Sequence, residues 1–214
     1  MLRIVDHPLA QKELTILRDK TSNSIAFRKG LVHLGRYIGY EIAGRMEKVQ
    51  REVETPLSRA LGYDVPDMGR VVIINVLRAA IPLVEGLIKN FPNARVGVIS
   101  AWRGPPPRFD IDVNYVKLPT ITPQDTVIVA DPMLATGNTL GRVIEEVTKR
   151  ERPKKIVLVS VIAYEGAVAR IREDEDELGM DIYTVAMDSK LNDKGYIVPG
   201  LGDAGDRAFG KPDL

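Results

Sequence analysis

The chain has 214 residues, of which 44% are hydrophobic and 28% charged, with a formal net charge of +1. That balance describes a globular chain long enough for one sizeable domain with a large core, and it creates no global field favouring nucleic acid or an anionic membrane. There is no cysteine and there are two histidines, His7 and His33, which excludes disulfides, thiolate catalysis, Cys-ligated zinc and a His-rich metal site. The longest apolar runs, at 71–77 and 156–163, are too short to span a bilayer, no secretory leader is read in the first residues, and a cytoplasmic location is expected.

In chain order, a helix is expected from residue 8 to about 20, with Asp6 as a possible cap and Pro8 in the first turn. A second helix is expected over 24–48, where Leu31, Leu34, Ile38, Ile42 and Met46 recur at helical spacing. Residues 52–57 read as a short extended piece and 62–69 as a turn-rich loop. An alternation then begins: strand 71–75, helix 81–88, strand 95–100, strand 113–118, strand 126–130, helix 137–150, strand 156–163, helix 166–178 and strand 181–187. Leu140, Val143, Ile144 and Val147 lie on one face of the helix at 137–150. Strands alternating with helices imply a mostly parallel sheet covered on both faces, with ligands at the carboxyl ends of its strands. Residues 75–78, 100–103 and Asp131 fall at such ends. The acidic run 173–177 reads as a solvated helix face.

The segment Val127-Ile128-Val129-Ala130-Asp131-Pro132-Met133-Leu134-Ala135-Thr136-Gly137-Asn138-Thr139 carries the strongest local chemistry. A buried strand delivers one carboxylate and then a loop of small and hydroxyl residues. Ala135 and Gly137 leave backbone N–H groups approachable. Thr136, Asn138 and Thr139 are side-chain donors, and a helix beginning at 137 or 138 adds its positive end. Such a cradle holds phosphate through dipoles. A P-loop is excluded, because no lysine follows Gly137. The plain competing reading is a strand-turn-helix in which Asn138 or Thr139 is only a cap. Arg78, directly after the strand at 71–75, is placed to grip diphosphate oxygens in a forked geometry. Residues 101–109, with four Pro or Gly, read as an irregular loop over the crevice, of the kind that forms lids. Trp102 there reads as packing rather than stacking.

The second signal is Gly195-Tyr196-Ile197-Val198-Pro199-Gly200-Leu201-Gly202-Asp203-Ala204-Gly205-Asp206-Arg207. It contains G-x-G-x-x-G, yet a dinucleotide loop must open a crossover helix with an acidic residue about twenty positions on, and neither is expected to follow here, so the dinucleotide reading fails. Its glycines instead allow close backbone approach to a flat ligand.

These two segments carry a resemblance. The first is similar to the phosphoribosyl diphosphate (PRPP) loop of the type I phosphoribosyltransferases, with Pro132 where most of that family has a second carboxylate. The second resembles the signature G-Y-I/V-x-P-G-L-G-D-A/S-G-D-R of the uracil phosphoribosyltransferases, and the likeness extends over essentially the whole chain. The resemblance implies a type I phosphoribosyltransferase fold of class α/β: an N-terminal helical part (1–60), an α/β core (71–188) with a flexible hood loop, and a C-terminal base-binding segment (189–214). It implies transfer of the phosphoribosyl group from PRPP to N1 of uracil, giving UMP and diphosphate. Catalytic roles fall to Asp131, Asp203, Arg103 and Arg78. PRPP contacts fall to Arg78, Arg103, Asp131, Pro132, Met133, Leu134, Ala135, Thr136, Gly137, Asn138, Thr139 and Asp203. Arg108 stays open between the site and the surface. Uracil contacts fall to Tyr196, Ile197, Gly202, Asp203 and Ala204, with Asp206 and Arg207 as a structural pair. Mg²⁺ is the implied cofactor, carried by PRPP and near Asp203 rather than held by a dedicated cage.

The resemblance further implies GTP as an activator, with Lys29, Gly30, Leu31, Val32 and His33 as effector contacts against the plain reading of a surface basic cluster. It implies CTP as an inhibitor and a homodimer or homotetramer. No nucleic-acid or membrane partner is expected. The other readings kept open are an RNA-binding regulator of pyrimidine genes on the same fold, a catalytically dead nucleotide sensor, and a phosphoribosyltransferase for another base.

Overall fold

The computed structural model describes residues 1–104, 111–149, 151–173 and 180–212. In chain order these form β1 (Leu2–Ile4), α1 (Pro8–Arg18), α2 (Ser24–Ala43), β2 (Val49–Glu54), β3 (Arg59–Asp64), a 3-10 turn (Pro66–Arg70), β4 (Val71–Leu77), α3 (Ile81–Asn90), β5 (Arg95–Arg103), β6 (Ile111–Lys117), β7 (Thr126–Ala130), β8 (Met133–Leu134), α4 (Asn138–Thr148), β9 (Lys155–Val159), β10 (Ile162–Tyr164), α5 (Glu165–Glu173), β11 (Met180–Thr184), β12 (Ala186–Asp188), β13 (Lys190–Leu191), β14 (Ile197–Val198) and α6 (Ala204–Phe209).

A seven-stranded sheet in the order β1-β11-β9-β7-β4-β5-β6 is the frame. Every pairing in it is parallel except that of β5 with β6. The pleat sends alternate side chains to opposite faces. Val71, Ile73, Ile128, Val157 and Val159 face the core under α1, α2 and α3. Val72, Ile74, Val127, Val129, Ile156 and Leu158 face the core under α4 and α5. Both faces being buried explains why these strands read as continuous apolar runs. From β4 the sheet grows through β5 to β6, and from β7 it grows the other way through β9 to β11. The β4–β7 junction is therefore the topological switch point, where an α/β sheet opens a crevice at its carboxyl edge.

Several elements differ from the sequence-based expectation. The N-cap of α1 is His7, whose Nδ1 accepts from Leu9 N at 3.2 Å, and not Asp6. α2 stops at Ala43, short of 48, with Gly44 as its C-cap. The short extended piece expected at 52–57 belongs to a longer antiparallel hairpin, 49–64, paired at six positions and almost wholly exposed, whose second strand takes in 62–64, expected as loop. Two strands expected to be single are each broken in two. The run at 156–163 kinks at Ser160–Val161, where Val161 N and Ile162 N both donate to Pro132 O, and the run at 181–187 turns at Val185. Their second halves leave the main sheet for a small parallel sheet, β12-β10-β8. The far halves are buried or partly buried and continue the apolar pattern, so the run carries no mark of the kink.

α2 and α3 cross unusually closely. A Cβ on Gly35 would lie 2.1 Å from Leu83 O, and one on Gly86 would lie 2.1 Å from Val32 O. This crossing fixes the start of α3, and with it the Leu77–Ala80 loop at the crevice.

Candidate active site

The crevice at the switch point is walled by Ala79 after β4, by Asp131, Met133, Leu134, Ala135, Thr136 and Gly137 after β7, by Thr139 and Leu140 of α4, and by Gly195, Tyr196, Ile197, Gly202, Asp203, Ala204 and Gly205 of the C-terminal segment. The two segments singled out in the sequence thus meet across one cleft, although about sixty residues separate them. Pro132 is not on this wall; it is buried and braces β10 through its carbonyl. Asn138 is not on the wall either.

Asp131 leaves β7 with its N–H donating to Val159 O at 3.0 Å, and its Oδ1 accepts from Met133 N at 3.1 Å. The loop then makes the two-residue strand β8 and reaches Gly137, the N-cap of α4, at φ 79°. That left-handed value suits glycine, which has no side chain to cap the helix, and Thr136 Oγ1 accepts from Asn138 N at 3.4 Å. The other first-turn N–H groups of α4 are available to an anion in the crevice.

Asp203 has two engagements. Its Oδ1 accepts from Asp206 N at 2.9 Å as the N-cap of α6, and its Oδ2 accepts from Tyr196 OH at 3.1 Å. The carboxylate is thereby held facing the crevice with lone pairs to spare. Ile197 and Ala204 are buried beside it. Gly200 and Gly202, at φ 57° and 71°, turn the backbone tightly between them.

Arg78 reaches across to the same segment: its Nη2 donates to Asp206 Oδ1 at 3.3 Å and to Gly210 O at 3.4 Å. Asp206 is thus paired with Arg78, not with Arg207 as the sequence suggested. Arg207 instead donates to the carbonyls of Leu17, Leu201 and Asp19, and its guanidinium lies 4.4 Å from the Phe27 ring centre. Neighbours in a helix point away from each other, so adjacent opposite charges on α6 find partners on other elements. Arg103 ends β5; its side chain, like Arg108, lies outside the described residues. Trp102 is 62% exposed, so it is not the packing residue expected.

Three groups that the sequence reading missed hold the C-terminal segment in place. Arg18 of α1 donates to both oxygens of Asp188, at 2.9 and 2.8 Å, and to Gly200 O at 3.2 Å. Asp188 in turn accepts from Gly200 N at 2.9 Å. Burial pushes the Asp188 carboxyl up, but the Arg18 hydrogen bond, the Gly200 N–H and the Arg18 charge together take it below its ordinary value. Arg28 of α2 donates to Ala208 O at 2.6 Å. No local motif marks these residues, because their partners lie at least 170 positions away or on an unremarkable strand end.

Of the residues expected to contact an effector, Lys29, Val32 and His33 share an outer face of α2. They line a second cavity with Ile25, Arg28, Ile81, Pro82, Glu85 and Phe209. Gly30 and Leu31 point inward and are buried, since helical geometry cannot put five consecutive residues on one face. His33 Nδ1 lies 3.0 Å from Glu13 Oε1. Among the described residues no three His, Cys, Asp or Glu side chains are grouped so as to hold a metal ion, and no helix is long and apolar enough to cross a membrane.

A mostly parallel sheet with a crevice at its switch point, walled by a carboxylate, a lysine-free small-residue loop and a glycine-rich segment, is the architecture of the type I phosphoribosyltransferase fold. Comparison with known proteins sharpens this. Residues 4–211 match the family model described as uracil phosphoribosyltransferase. The chain is 57% identical to a uracil phosphoribosyltransferase of Thermococcus gammatolerans over 207 residues, 97% of this chain and 92% of that one. It is 58% identical to the one of Pyrococcus furiosus, over 97% of this chain and 88% of that one. A solved structure of a protein from Aquifex aeolicus superposes with a TM-score of 0.89 at 32% identity, covering 98% of each chain. The chain belongs to the uracil phosphoribosyltransferase family. It is a pentosyl-transferring enzyme that forms UMP from uracil and PRPP. The regulator, dead-sensor and other-base readings find no support in these comparisons.

Proposed function

We propose that the crevice carries out this pyrimidine-salvage transfer with the following division of labour. The 5′-phosphate of PRPP sits in the cradle of residues 135–139, on the first turn of α4. The ribose lies between Asp131 and Asp203, and uracil lies against the backbone of Ile197, Gly202 and Ala204 with Tyr196 at its edge. Displacement at the anomeric carbon passes through a ribosyl group bearing positive charge, as in glycoside hydrolysis. The two carboxylates stabilise that charge, and Arg78 and Arg103 stabilise the negative charge growing on the departing diphosphate. Backbone hydrogen bonds to the pyrimidine edge make N1–H more acidic, and as the N1–C1′ bond forms and the bond from C1′ to diphosphate breaks, the N1 proton passes to the departing diphosphate, so that no side-chain base is needed. The observation that carries this reading is the meeting of Asp131, the start of α4 and Asp203 in one cleft.

Mg²⁺ enters with the substrate, on the diphosphate of PRPP. The residues present suit that arrangement: Asp131 and Asp203 face the cleft singly, and one or two carboxylates plus phosphate oxygens are the usual Mg²⁺ set. The ion supplies charge neutralisation of the leaving group. The cysteine-free composition fits a reducing compartment, and the reading places the enzyme in the cytoplasm. A homodimer or homotetramer is supported by the exposed apolar side chains of the β2–β3 hairpin, among them Val49, Leu61 and Tyr63. GTP activation is assigned to the cavity beside Lys29, Val32 and His33. CTP inhibition is carried over from the family without a site.

The test is conversion of labelled uracil by the purified chain with PRPP and Mg²⁺, with and without GTP, repeated for Asp203→Asn and Lys29→Ala. UMP formation, a loss of at least about tenfold in Asp203→Asn, and a GTP response blunted only in Lys29→Ala are expected. Full activity in Asp203→Asn overturns the role of Asp203. An unchanged GTP response in Lys29→Ala overturns the effector assignment.

A further inference from the structure

Arg170 projects from α5 onto the outer side of the phosphate cradle. Its Nη2 donates to the Thr136 carbonyl and, at 3.0 Å, to Asn138 Oδ1. It lies so close to the loop that a Cβ on Gly137 would come within 2.9 Å of the same Nη2. We infer that Arg170 is a positioning residue for the phosphate cradle: by holding the Thr136 carbonyl outward it turns the Gly137 N–H into the crevice. The inference rests on the assignment of the 5′-phosphate to residues 135–139.

The argument is one of peptide geometry. The C=O and N–H of a trans peptide point in opposite directions, and among the described residues the cis bonds are at Leu77–Arg78 and Val198–Pro199, not here. A Thr136 carbonyl drawn toward α5 therefore sends the Gly137 N–H to the opposite side, and Gly137 lines the crevice. Without Arg170 this peptide, next to a glycine at φ 79°, is free to rotate. Rotation presents a carbonyl oxygen to the phosphate in place of an N–H, exchanging attraction for repulsion. Arg170 also places a positive charge beside a loop that has none of its own, adding to the α4 dipole. The Asn138 side chain, accepting from the same Nη2, ties the loop to the guanidinium at a second point.

Arg170 is exposed, so solvent screens part of its effect. The expected loss for Arg170→Ala is about tenfold, that of one charge-assisted hydrogen bond at a partly screened site. Steady-state kinetics of the full chain give the readout. Arg170→Ala should raise the KM for PRPP and the inhibition constant of UMP by about tenfold each. It should leave the KM for uracil and the inhibition constant of diphosphate unchanged, and keep kcat within about twofold. Arg170→Lys, which keeps a donor and a charge, should recover most of the loss. A merely structural role predicts a different pattern, in which UMP and diphosphate weaken together and Arg170→Lys gives no rescue; that pattern overturns the inference. Thr139→Val tests the underlying cradle assignment separately. If Thr139→Val weakens UMP and Arg170→Ala does not, the Arg170 inference alone fails. If neither weakens UMP, the cradle assignment fails with it.

Discussion

Replacing Arg18 by alanine removes three hydrogen bonds from the support of the base segment, two to Asp188 and one to Gly200 O. Asp188 is only 7% exposed, and after the change its carboxylate keeps the Gly200 N–H alone. Hydrogen bonds to charged groups are worth about 1.5–3 kcal/mol each. Arg18 is 27% exposed, so water takes over part of what is lost. The cost also has a ceiling: a stranded carboxylate escapes by taking up a proton, which at pH 7 costs about 4 kcal/mol from an ordinary carboxyl value. The expected destabilisation is therefore about 2–4 kcal/mol. For a chain of this size that corresponds to a fall in Tm of roughly 5–15 °C.

The functional consequence is directional. Gly200 lies between Ile197 and Gly202, so loosening it disorders the uracil contacts while leaving the α4 cradle intact. Thermal unfolding by circular dichroism and steady-state kinetics with each substrate varied in turn test this. The expected result is a uracil KM raised by at least about tenfold and a PRPP KM changed by less than about threefold. An unchanged Tm refutes the energetic argument. A lowered Tm with an unchanged uracil KM refutes the positioning argument, leaving the pair as a brace of the fold.

A Cβ at residue 200 would stand 2.0 Å from Ile197 O, at a φ of 57° that side chains avoid. Gly200→Ala is expected to cost about 2–4 kcal/mol and to abolish measurable uracil use, read by chemical denaturation and UMP formation. Retention of the wild-type uracil KM would falsify this account of the turn. Asp131→Asn keeps the shape and the Oδ1 acceptor but removes the charge facing the ribose, so kcat should fall by about 10²-fold with Tm within a few degrees; a loss confined to KM would contradict a transition-state role. The lowered Asp188 carboxyl has a pH signature. A depressed folded value contributes stability that is complete above the unfolded value, near pH 4, and is lost as the pH falls through the folded value. Asp188→Asn should therefore flatten the acid limb of the stability–pH curve below about pH 4 and leave the shape above pH 6 unchanged; identical acid limbs would exclude the pair as its source.

The parallel frame was legible because β4, β7 and β9 are buried on both faces, and such strands are apolar at nearly every position. The kinks at Ser160–Val161 and Val185 were not, because the far halves pack in a second sheet and continue the apolar pattern. The β2–β3 hairpin escaped notice for the opposite reason: it is nearly all exposed, so no core face imprints a pattern on it. In the crevice, Asp131, the 135–139 loop and the 195–205 segment were legible from local chemistry, since a small-residue loop and a positive-φ glycine turn restrict which residues occur. Arg18, Asp188, Arg28 and Arg170 act through carbonyls and carboxylates brought to them from remote parts of the chain, and nothing in their own neighbourhoods distinguishes them from surface charges. The Asp206–Arg207 pairing failed on the same ground. The sequence by itself determined the fold class and singled out the 135–139 loop and the 195–205 segment, because these depend on local backbone demands and burial periodicity. Only the tertiary structure decided which side chains hold the two segments facing each other across one cleft, because charge pairing over such separations depends on the path of the folded chain.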